Sequence, residues 1–101
     1  MAEQARKLTE SEIAEALSKL PGWSVENGKL HRQYQFKNFI EAFGFMASAA
    51  LVAESMNHHP EWFNVYHKVV VDLMTHSVGA ISNLDFDLAR MMETLAQQPV
   101  S

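Results

Sequence analysis

The chain contains no cysteine. Disulfides, thiolate metal ligands and sulfur nucleophiles are therefore excluded together. Positive charge is also scarce: Lys and Arg total 8 against 12 Asp and Glu, giving a net charge of -4. The eight cations form no stripe, and phosphate recognition relies on clustered cations, so no direct nucleic-acid role is expected. No run approaches the ~20 apolar residues of a membrane span, and the opening MAEQARKLTESE has no apolar signal-peptide core. A cytoplasmic address and no membrane partner are the corresponding expectations. With 4 glycines and 3 prolines, there is no glycine-rich phosphate loop and no linker that would divide the chain.

What remains is one domain, 1–101, of near-average size. A chain of this length buries roughly two-thirds of its unfolded surface, so its core is thin and oligomerisation would add to it. The hydrophobic fraction of 48% is ordinary for a globular protein.

The pattern along the chain alternates short helices and hairpins. Residues 1–8 read as a loose polar arm. Thr9 with Glu12 forms a capping box for a helix over about 10–20, ended by Pro21-Gly22. Trp23–Glu26 and Lys29–Phe36 read as a hairpin closed by Asn27-Gly28, since both central residues of a type I′ turn need positive φ. Along the second strand Leu30, Arg32, Tyr34 and Phe36 share one face. His31, Gln33 and Gln35 share the other. Asn38 can cap a second helix, about 39–56, that is apolar on nearly every side and so must be covered on more than one. Its small residues Gly44, Ala47, Ser48 and Ala50 suit close approach of another helix. After Pro60, strands over 62–66 and 69–74 flank a turn at His67-Lys68. Ser82 and Asp85 form a second capping box for a third helix, and 97–101 frays. The expected fold is α+β: a two-layer sandwich of a four-stranded antiparallel sheet with helices on one face, in the order α-β-β-α-β-β-α.

Three of the five histidines, His58, His59 and His76, fall in or opposite one short region. Histidine titrates nearest neutrality, so a cluster suits proton transfer. Pro60 forces His59 out of the α region, which places the adjacent pair at a bend where both rings can face one pocket. Glu54 lies one helical turn before His58 and is expected to orient it. His76 follows the last strand, whose end lies beside the start of the strand after Pro60. A metal site from Glu54, His58 and His76 is the sharper rival, but it lacks a fourth ligand and leaves His59 idle, so no metal is expected. His31 and His67 read as solvated surface groups. Trp62, Phe63 and Tyr66 read first as core, with Trp62 at a pocket wall.

The run Glu54-x3-His58-His59-Pro60-Glu61-Trp62-Phe63-Asn64-Val65-Tyr66, then Thr75-His76 and an Asp nine positions later, resembles the pterin-4a-carbinolamine dehydratases over nearly the whole chain. The resemblance implies an enzyme, a hydro-lyase that converts 4a-hydroxytetrahydropterin (such as 4a-hydroxytetrahydrobiopterin) to quinonoid dihydropterin and water. That reaction recycles pterin for aromatic amino-acid hydroxylation. It implies His58, His59 and His76 as catalytic imidazoles and Glu54 as the group orienting His58. It implies pterin binding around His58, His59, Pro60, Trp62, Thr75, His76, Ser77, Val78 and Asp85. Pterin is then the substrate and no cofactor is implied. Dimers through the sheet edge and tetramers through the second helix are implied, as is a hydroxylase in the same pathway. Animal relatives also serve as dimerisation cofactors of a homeodomain transcription factor, so a non-catalytic binding module is the alternative reading. Departures from the family pattern, His67 in the turn and Val78-Gly79-Ala80-Ile81 before the last helix, leave the histidines untouched.

Overall fold

The computed structural model describes residues 4–97. The ends of the two terminal segments, 1–3 and 98–101, including most of the tail expected to fray, lie outside the described residues. The elements follow the expected order: α1 Glu10–Leu17, β1 Ser24–Glu26, β2 Lys29–Gln35, α2 Phe39–Met56, β3 Glu61–Val65, β4 Lys68–Leu73 and α3 Asn83–Ala96. One 3-10 turn, His76–Val78, precedes α3. The strands form one antiparallel sheet in the order β1-β2-β4-β3.

Local chemistry accounts for most boundaries. The Thr9/Glu12 and Ser82/Asp85 capping boxes are both formed, and the Asn38 side chain accepts from the Glu41 N–H. Asn27 and Gly28 both take positive φ, 53° and 75°, as the tight turn of the first hairpin requires. α1 is shorter than expected. Lys19 and Leu20 donate to carbonyls only three residues back, Ala16 and Leu17, so the last turn tightens out of α geometry. The second hairpin turns at Tyr66-His67 rather than His67-Lys68, because Tyr66 takes the left-handed conformation, φ 51°. Both of its strands consequently sit one residue earlier than expected.

The arm is not loose where it is described. Leu8 donates to Ile81 at 3.2 Å and Asn83 to the Arg6 carbonyl at 3.2 Å, and Lys7 bridges Ser82. This segment is stitched to the loop that leads into α3.

The core lies between the sheet and the helices. Alternation places Leu30 and Tyr34 of β2 and Val69, Val71 and Leu73 of β4 inward, where Ala42, Phe45, Ala49 and Ala53 of α2 and Phe86, Leu88, Ala89 and Met92 of α3 meet them. The aromatic expectation fails for two residues. Phe63 and Tyr66 are 53% and 60% exposed, because inward positions of β3 fall to Trp62 and Asn64. The expectation that no run approaches a membrane span is also corrected. α2, with 18 residues at mean hydropathy 1.4, is long and apolar enough by length and composition. Its buried residues follow one stripe facing the core, while Ile40, Phe43 and Leu51 stand 69%, 55% and 75% exposed.

At the far end of the core the Glu93 carboxylate accepts from Trp23 Nε1 at 2.8 Å and from the Tyr34 hydroxyl at 2.7 Å. Burial first, and the Glu93 hydrogen bond second, push the Tyr34 phenol far above its ordinary 10.0. The folded state therefore resists phenolate formation that the unfolded chain permits. Stability from this group is complete below about pH 10 and falls above it by about 1.4 kcal/mol per pH unit. Urea midpoints measured between pH 9 and 11 should show this decline, and Tyr34→Phe should flatten it.

Candidate active site

α2 ends at a left-handed residue rather than at the proline. Asn57 takes φ 52°, its N–H reaches the Glu54 carbonyl at 3.0 Å, and the His58 N–H reaches Ala53 at 3.0 Å. This pair of bonds is a Schellman arrangement. It turns the chain before His58, so the helical geometry that would have aimed Glu54 at His58 no longer applies.

The carboxylate assignment changes as a result. Glu54 Oε1 lies 2.8 Å from His59 Nε2, and both side chains are exposed. His58 instead turns inward, with its Nε2 2.5 Å from Asp85 Oδ1. His58 is 8% and Asp85 0% exposed. The expectation that Glu54 orients His58 is thus overturned, and Asp85 takes that place from 27 residues away. Asp85 performs two tasks with two oxygens. Its Oδ2 accepts from the Ser82 N–H at 2.8 Å, as the capping box requires, and from the Thr75 hydroxyl at 2.9 Å. Thr75 Oγ1 lies 2.6 Å from Ser82 Oγ. Thr75 and Ser82 are buried, at 4% and 0% exposure.

His76 opens the 3-10 turn and is largely exposed, its Nε2 3.9 Å from Glu61 Oε2. The register explains its position: Glu61, first residue of β3, pairs with Asp72 near the end of β4. His76 thus reaches a carboxylate two residues past His59, while its neighbour Thr75 reaches the carboxylate that holds His58. The three imidazoles border one corner where α2, β3, β4 and α3 meet. Two of them are hydrogen-bonded to carboxylates, His58 to buried Asp85 and His59 to exposed Glu54, whereas the Glu61 near His76 is held by Lys29 at 2.6 Å. Pro60, Trp62 and Val78 around this corner are half-buried, and Ser77 is exposed. Thr75, expected among pterin-contacting residues, has its side chain committed to Asp85.

The set Glu54, His58 and His76 is not gathered around one point, since Glu54 and His58 have other partners. Among the described residues no group of three or more His, Cys, Asp or Glu is arranged to hold a metal ion. The remaining histidines are not simply solvated. His31 Nδ1 pairs with Asp72 at 2.9 Å, and His67 is half-buried with an unpartnered Nδ1. A cleft of about 210 Å³ walled in part by Arg6, Phe86 and Arg90 contains none of the histidines.

Sequence reasoning missed Ser82 as part of the site and underused Asp85. The signal was present: in a capping box one carboxylate oxygen suffices for the backbone, and a buried second oxygen needs a partner of its own.

Comparison with known proteins points to one family. The family model described as pterin 4 alpha carbinolamine dehydratase matches residues 6–95. A protein of Solibacter usitatus, provisionally named a pterin-4-alpha-carbinolamine dehydratase, is 59% identical over 90 residues, 89% of this chain and 95% of its own length. A Brucella ovis protein with the same provisional name is 51% identical over 92 residues, again 89% of this chain and 95% of its own. Among solved structures, a Brucella melitensis protein described as a transcriptional coactivator/pterin dehydratase superposes with TM-score 0.87 at 50% identity, covering 90% of this chain and 99% of that one. A pterin dehydratase-like protein described as a RuBisCO assembly factor of the alpha-carboxysome shares the fold alone, at TM-score 0.62 and 17% identity, over 76% of this chain and 89% of that one.

Proposed function

The chain belongs to the pterin 4 alpha carbinolamine dehydratase family, and we propose that it dehydrates a 4a-hydroxytetrahydropterin by proton transfer among His58, His59 and His76. The observation that carries this reading is the placement of three imidazoles among carboxylates: His58 on Asp85, His59 on Glu54, and His76 3.9 Å from the Glu61 that Lys29 also holds. Dehydration needs a proton delivered to the departing 4a-hydroxyl, which leaves as water, and a proton accepted from N5 as the C4a–N5 double bond forms. The protein ends with as many protons as it began. An imidazole can donate a proton from one nitrogen and accept one at the other, so neighbouring histidines can supply both transfers. Pterin is the substrate, and no resident cofactor enters this reading.

We assign the exposed apolar stripe of α2, Ile40, Phe43 and Leu51, to contact between copies of the chain, with the β3 edge as the second contact. A surface of this kind, left in water, favours association. The same stripe supports the alternative reading, a protein-binding module, for which the coactivator description of the Brucella melitensis structure is the further support.

One preparation tests both proposals. The purified protein should accelerate the decay of a 4a-carbinolamine, with a chelator leaving the rate unchanged. Decay equal with and without protein refutes the enzymatic reading. Light scattering should give a mass above that of one chain, reduced in Ala47→Glu, and a monomeric wild type removes α2 from any self-contact.

A further inference from the structure

Resting on the enzymatic reading above, we propose that Thr75 is a positioning residue: acting through Asp85, it keeps the proton of His58 on Nε2 and leaves Nδ1 to exchange protons with the pterin.

Asp85 is fully buried, so water cannot solvate it and protein groups must. An ionised carboxylate only accepts. The Thr75 hydroxyl proton therefore points at Asp85 Oδ2, 2.9 Å away. Thr75 Oγ1 can then only accept from Ser82, 2.6 Å away, and Ser82 Oγ itself accepts from the Leu84 N–H at 3.1 Å. Every hydroxyl in the network thus has one direction. The line of donors runs from Leu84 through Ser82 and Thr75 to Asp85, and His58 closes it by donating Nε2–H to Oδ1 at 2.5 Å.

The neutral ring consequently has its proton on Nε2 and its lone pair on Nδ1. Among the described residues the side-chain hydrogen bond of His58 is made by Nε2 and none by Nδ1, and Asp85 is the one charged group within ion-pair distance of the ring. The working nitrogen is the one the protein leaves open.

Thr75 matters when His58 takes up its second proton. With the hydroxyl donor in place, the buried carboxylate keeps its charge and the ring becomes imidazolium. Without it, desolvation penalises the carboxylate, and the cheapest relief is transfer of the Nε2 proton to Oδ1. Carboxylate and imidazolium then become a carboxylic acid and a neutral ring that carries its proton on Nδ1. Such a ring is a weaker proton donor, and the two charges that defined the pair are gone. The mechanism differs from a loss of packing because Val has the shape of Thr without the donor.

The experiment uses the full chain labelled with 15N in its histidines, together with the carbinolamine assay. Wild-type His58 is expected to show a protonated Nε2 and a bare Nδ1 when neutral, and two protonated nitrogens after acidification. Thr75→Val is expected, after acidification, to show a bare Nε2 and a protonated Nδ1, with kcat lowered about 10-fold and KM within roughly twofold. Thr75→Ser should restore both the spectrum and the rate. A wild-type ring protonated on Nδ1 when neutral overturns the proposal without needing any variant to fold. A Val variant with the wild-type spectrum, or a Ser variant that behaves like Val, overturns it as well. The expected wild-type spectrum in a protein that does not accelerate dehydration overturns the enzymatic reading and leaves the proton placement standing.

Discussion

Replacing His58 with Gln and His76 with Ala in one chain should lower carbinolamine dehydration by about 10²–10⁴-fold while the fold survives. That range is what a positioned proton donor or acceptor contributes. The choice at position 58 follows from burial. His58→Ala would leave the Asp85 carboxylate without its Oδ1 partner, and stranding a buried charge costs about 3–5 kcal/mol. Lost activity could then be mistaken for lost structure. A Gln amide N–H can occupy the place of Nε2–H and donate to Asp85, but it cannot accept or release the second proton. His76 is 84% exposed in its side chain, so truncation to Ala there carries no such confusion. Rates and urea midpoints should be measured on the same samples. A double variant that keeps the wild-type rate would remove these imidazoles from the chemistry.

Asp85→Ala is expected to be strongly destabilising. It removes the capping-box carboxylate, worth about 1 kcal/mol, and strands the Thr75 hydroxyl, the Ser82 N–H and the His58 Nε2–H in a place without water. Unsatisfied buried donors cost about 1–3 kcal/mol each, although neighbours in one network do not add. A combined loss of about 3–5 kcal/mol is expected, a large share of the 5–15 kcal/mol typical of a domain. Asp85→Asn separates the two tasks. The amide keeps the shape and the cap, but its NH₂ faces His58 and favours the ring with its proton on Nδ1. An equivalent exchange in a serine-protease triad lowers kcat by ~10⁴ through the wrong tautomer. The Asn variant should therefore retain most of the stability and lose most of the activity. An Ala variant less than about 1 kcal/mol below wild type in urea unfolding would show that the network contributes little.

Much of the fold was legible because its signals are local. Thr9 with Glu12, Ser82 with Asp85, Asn27-Gly28 and the alternation of Leu30 through Phe36 each act within a few residues, where backbone hydrogen bonding and φ preferences decide the outcome. The histidine corner was legible for a related reason. A hairpin folds back on itself, so the end of β4 must lie beside the start of β3 whatever the side chains are. The apolar length of α2 was in plain view in the sequence but was read only as a surface that other elements must cover.

The pairing of carboxylates with imidazoles was not legible. Helix periodicity points Glu54 at His58, and it would do so had α2 continued. A single left-handed residue, Asn57, ends that periodicity and sends His58 inward and His59 outward. Asn57 carries no unambiguous mark in the sequence, because Asn tolerates both the helix interior and the left-handed cap.

The sequence alone determined which elements form, where the three helices start, how the first hairpin turns and which side chains can move protons, since each depends on neighbours along the chain. Tertiary structure decided which carboxylate meets which histidine, why residues 6–8 are held against the loop before α3 and which face of α2 stays uncovered. Those depend on groups brought together across tens of residues, where burial and the need to satisfy every polar atom select one partner among several that spacing allows.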